Sequence, residues 1–198
     1  MAAQVFLFTP ADADTAFVPG LEAVLDAVGV AALLVRRGQR SDADYEPVAR
    51  AMVAAGQKRG AAVLIEGEPA LAKRLGADGI HVSALAALKP AIAALKPAQI
   101  VGMGPLDTNH DAMVAGEDGA DYVMFGWPDR QLSDDDRDRA LWWAQTFEVP
   151  AVLCDPGADA QTIDPLNCEF IGLAESVWQA PEGAAKRLAA LNARLQAL

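Results

Sequence analysis

A chain of 198 residues, 53% of them hydrophobic, is long enough for one sizeable core and short for two, so a single domain over residues 1–198 is expected. Its 16 Lys and Arg against 27 Asp and Glu leave a formal charge of -11, which disfavours nucleic acid and anionic membrane surfaces as partners. No basic segment leading into a long apolar one opens the chain, and no stretch reaches the ~20 apolar residues of a membrane span, so a cytoplasmic protein is expected.

In chain order, short apolar runs at residues 5–8 and 30–35 read as strands, followed by a helical pattern over 45–57. A strand at 62–65, a helix at 69–75 and a strand at 79–82 come next. A helical pattern over 84–95 carries Pro90, which predicts a break into a short turn and a restarted helix. Then follow a strand at 99–102, a helix at 111–117, a strand at 122–125, a helix at 134–147, strands at 151–154 and 170–173, and a helix at 182–195. Two joints repeat: Gly76-Ala77-Asp78 and Gly119-Ala120-Asp121 each read as a helix stop, a turn and entry into a buried strand.

The apolar runs are continuous rather than alternating, as parallel strands covered by helices should be. Eight such units predict a compact (β/α)8 TIM barrel, small against the usual size of roughly 250 residues. An open doubly wound sheet is the runner-up. It would place a glycine-rich loop after the first strand, where Thr9-Pro10-Ala11-Asp12 stands instead.

The run Val63-Leu64-Ile65-Glu66-Gly67-Glu68, then Leu75-Gly76-Ala77-Asp78-Gly79-Ile80-His81-Val82, and later Ile100-Val101-Gly102, Gly119-Ala120-Asp121-Tyr122-Val123 and Phe125-Gly126, resembles the thiamine phosphate synthase and thiazole tautomerase family. The resemblance implies a compact TIM barrel and a transferase of thiamine biosynthesis. Synthase members join a thiazole phosphate to a hydroxymethylpyrimidine pyrophosphate, and the resemblance implies Mg²⁺ as cofactor where that reaction is retained. It also makes Arg36 a ligand of substrate phosphate.

Other positions depart from the family pattern. Its Gln-x-Arg-x-Lys reads Leu34-Val35-Arg36-Arg37-Gly38, and its Asn-Asp-Arg reads Glu66-Gly67-Glu68. Its second metal aspartate aligns near Ala86, the serine after strand five with Gly104, and the lysine loop after strand six with Trp127-Pro128-Asp129-Arg130-Gln131. Its phosphate-binding Gly-Gly and serine fall on Asp155-Pro156-Gly157 and on Glu175. The tautomerase histidine falls in Phe125-Gly126-Trp127. These changes point to altered or lost activity, and no metal-ligand set is assigned.

In a barrel, functional groups gather at the C-terminal ends of the strands. This places Thr9, Arg36, Glu66, Glu68, His81, Ser83, Met103, Trp127, Asp155, Glu175 and Ser176 around one mouth, an acid-rich set suited to a cationic or heterocyclic, thiamine-related small molecule. Each has a plainer reading. Glu66 and Glu68 suit a turn before the helix at Pro69, Asp155 a helix cap, His81 a hydrogen-bonded rim position, and Arg36 an ion pair with Glu66. The acidic run from Asp129 to Asp138 reads as a solvated loop entering a helix N-terminus. Cys154 and Cys168 read as buried thiols. A non-catalytic barrel that binds such a cation or docks on a partner enzyme is the alternative function, and exposed helix Leu and Trp residues suit a homodimer.

Overall fold

A computed structural model describes residues 2–198. Eight parallel strands close into a barrel in chain order: β1 (Gln4–Phe8), β2 (Ala32–Val35), β3 (Ala62–Glu66), β4 (Gly79–Val82), β5 (Ile100–Met103), β6 (Tyr122–Phe125), β7 (Ala151–Cys154) and β8 (Phe170–Leu173). Around them lie α1 (Val18–Ala27), α2 (Asp42–Gln57), α3 (Pro69–Leu75), α4 (Leu85–Leu95), α5 (Asn109–Glu117), α6 (Asp134–Thr146), α7 (Glu175–Trp178) and α8 (Ala184–Leu195). The expected (β/α)8 barrel is the fold, with no helix among the described residues between β7 and β8. None of the described helices is long and apolar enough to cross a membrane.

Strand residues alternate between two cores, as the pleat requires. Leu33, Val63, Val101, Val123, Leu153 and Ile171 face outward under the helices. Phe6, Phe8, Leu34, Leu64, Met124 and Val152 fill the barrel. Met103 belongs to the outer set and is buried there, so it does not reach the mouth as expected. Its neighbour Gly102 holds the inward position, and parity sends Met103 the other way.

The repeated joints have a shared physical task. Gly76 and Gly119 stop their helices at φ +65° and +96°, where a side chain would be strained. The aspartate that follows then accepts the second amide of the adjacent strand. Asp78 takes the N–H of Val63 at 2.7 Å, and Asp121 takes that of Val101 at 2.8 Å. Glu169, before β8, likewise accepts the first amide of β7, that of Ala151, at 2.8 Å.

One expectation about the helices is corrected. Pro90 does not break α4, which runs unbroken from Leu85 to Leu95. The carbonyl left unpaired by the missing N–H belongs to Ala86, an exposed residue that water can satisfy. The additional helix α1 opens on Val18-Pro19-Gly20, which masks the buried Leu21, Val24 and Leu25 behind turn-type residues.

Candidate functional site

Arg36 is the first residue past β2, and strand parity turns its side chain toward the mouth. Its backbone N–H donates to the buried Thr9 hydroxyl at 3.0 Å, which ties β2 to β1. Its guanidinium Nη2 donates to Asp129 at 3.0 Å. The expected pairing with Glu66 is therefore overturned. Glu66 instead accepts the N–H of Arg37 at 2.6 Å, while its own N–H donates to the buried Tyr45 hydroxyl at 3.2 Å. The backbone N–H of Arg37, in the loop just past β2, lies closer to Glu66 than any guanidinium does, and Asp129 arrives from across the mouth.

His81 lies inside the barrel wall. Nδ1 is 2.7 Å from the Tyr122 hydroxyl and Nε2 is 2.8 Å from the Gly104 carbonyl. A carbonyl only accepts, so Nε2 carries the hydrogen, Nδ1 accepts, and the tyrosine donates. Burial lowers the imidazole from its ordinary 6.5 to about 4. The ring is neutral and both nitrogens are occupied.

Other predicted residues disperse. Ser83 and Glu68 are exposed, and Glu68 precedes α3 without a side-chain cap. Trp127 donates its indole N–H to Asp107 at 3.2 Å. Asp155 does not cap a helix. It accepts the N–H of Gly157 at 3.1 Å and lies 3.8 Å from Arg137. Burial lifts its carboxyl above the usual range, against the lowering pull of Arg137 and that amide. Ser176 Oγ is buried without a partner.

One cleft gathers part of this set. It has a volume of about 1220 Å³ and lies between the segments after β1, β2 and β8, with Asp129 entering from the far side. Of the predicted residues, Thr9, Arg36 and Glu175 line it. Asp12, Asp14, Asp44, Asp129 and Glu175 set five carboxylates against the guanidiniums of Arg36 and Arg40. Arg40 is itself absorbed by backbone carbonyls, including those of Ala11, Ala13 and Arg37. Phe17 and Trp178, also in the lining, meet edge to face at 4.7 Å, and the Trp178 indole is fixed by a 2.6 Å bond to the Phe8 carbonyl. Sequence reasoning missed this aromatic pair, because Phe17 ends a single 3-10 turn before α1 and Trp178 ends the four-residue α7, and neither segment is long enough to show a helical pattern.

At the ends of β7 and β8, four backbone amides already donate within the fold, while those of Ala174 and Glu175 have no acceptor in it. Asp155 N–H goes to Gly172, Gly157 N–H to the Asp155 carboxylate, Ser176 N–H to Pro156 and Val177 N–H to Ala174. Pro156 has none to offer. Among the described residues no three carboxylate, imidazole or thiol groups converge as metal ligands.

A family model described as thiamine monophosphate synthase matches residues 5–148. The chain belongs to the thiamine monophosphate synthase family. It is 35% identical to a thiamine-phosphate synthase of Rhodospirillum centenum, over 96% of each chain. It is 33% identical to that of Hyphomonas neptunium, over 98% of this chain and 95% of the other. The solved thiamine phosphate pyrophosphorylase of Pyrococcus furiosus superposes with a TM-score of 0.80 at 16% identity, over 98% of this chain and 96% of that one, and shares the barrel. Family membership thus accounts for the sequence likeness of the two Gly-Ala-Asp joints and their strands.

Proposed function

We propose that this chain is a thiamine phosphate synthase-like barrel in which the magnesium-assisted displacement of pyrophosphate is lost, and that its cleft binds a cationic heterocycle of the thiamine type. The observation that carries this reading is that Asp155 and Glu175 bring carboxylates to the ends of β7 and β8, where four of the backbone amides donate within the fold. Displacing pyrophosphate requires preorganised donors and cations where negative charge develops. Here Asp155 and Glu175 stand at those strand ends, Arg36 is paired with Asp129, and the amides of Asp155, Gly157, Ser176 and Val177 donate elsewhere.

The cleft suits the opposite charge. An excess of carboxylates attracts a cation, and the Phe17 and Trp178 rings offer apolar surface and π faces to a flat, positively charged ring. Thermal-shift titration tests this directly: thiamine raises the melting temperature of the chain, whereas inorganic pyrophosphate with Mg²⁺ does not. The reverse pattern would reject the reading.

A further inference from the structure

In an eight-stranded barrel, β2 and β6 stand opposite each other, yet Arg36 after β2 and Asp129 after β6 meet at 3.0 Å. The segment between β6 and α6 therefore crosses the mouth. Gly126 starts this crossing with φ +79° and passes so close to the Cys154 carbonyl that a Cβ would sit 2.5 Å from it. On the near side the segment is pinned to Asp107 by the Trp127 indole at 3.2 Å and by Arg130 at 3.7 Å. Arg130 also stacks on the Trp127 ring at 4.8 Å.

We infer that this segment is an intramolecular strap, and that Asp129 is the residue that makes the cleft reject anions by occupying Arg36. The inference rests on the cation-selective reading above. The pair is unequal: the Arg36 side chain is 14% exposed and that of Asp129 56%, so the aspartate is a solvated visitor to a sheltered cation. It engages Nη2 alone, and Nε is buried with no partner. A guanidinium prefers a two-point fork with an oxyanion. With the Asp129 charge removed, a ligand bearing two oxygens can take both donors.

Isothermal titration of the full chain with inorganic pyrophosphate tests this. Wild type binds no more tightly than a Kd of about 1 mM, and Asp129→Asn binds with a Kd at least about tenfold below the wild-type value. Adding Arg36→Gln to Asp129→Asn abolishes the gain. Asp107→Asn loosens the strap while Arg36 stays paired, and gives no gain. Hydrogen exchange over residues 127–132 accelerates in Asp129→Asn, and Asp129→Ser repeats both results if the first variant folds poorly. Unchanged affinity in both Asp129 variants, or a gain that survives loss of Arg36, overturns the inference. Failure of thiamine to stabilise wild type, alongside a gain in Asp129→Asn, would instead overturn the cation reading and leave the strap intact.

Discussion

The Tyr122 hydroxyl on β6 reaches His81 Nδ1 on β4 at 2.7 Å, crossing the intervening strand over Gly102. Its removal leaves a buried acceptor unpaired. Tyr122→Phe should lower unfolding free energy by about 1–3 kcal/mol, measured by urea titration.

Gly102 makes that crossing feasible. A Cβ there would lie 2.0 Å from two atoms of the buried Tyr122 ring, whose hydroxyl is held by His81. Gly102→Ala should destabilise the barrel by about 3 kcal/mol, the upper range for an overpacked core. Retention of wild-type stability would show that the ring relaxes freely.

Protonation of His81 couples the same pair to pH. The unfolded chain takes up a proton near 6.5 and the folded chain only near 4, so stability falls as pH drops from about 6.5 toward 4. The contribution of this one group is roughly 3 kcal/mol across that window. His81→Gln should flatten the difference between stabilities measured at pH 7 and pH 5.

Both thiols should be inert in the native barrel. Burial pushes Cys168 up to about 12 and Cys154 higher still, with neighbouring carboxylates adding to each shift. Ellman's reagent at pH 8 should detect neither in the native protein, and both after denaturation.

The barrel was legible because continuous apolar runs and the two Gly-Ala-Asp joints repeat a local rule: helix stop, amide-accepting aspartate, buried strand. The mouth was legible only in part. Arg36 and Glu175 follow strand ends and were placed by counting. Asp129, however, belongs to an acidic run that looks like any solvated helix entry, and its partner lies 93 residues away across the barrel. The partner of Glu66 was equally hidden, since a backbone amide leaves no side-chain signature. Sequence spacing fixes which residues arrive at the rim; contacts across the mouth depend on loop paths that no local pattern encodes.

The most direct test is to incubate the purified chain with thiazole phosphate, the hydroxymethylpyrimidine pyrophosphate and Mg²⁺ and to measure thiamine phosphate. No product above the enzyme-free background is the expected result. Robust turnover that disappears in Arg36→Ala would contradict the account.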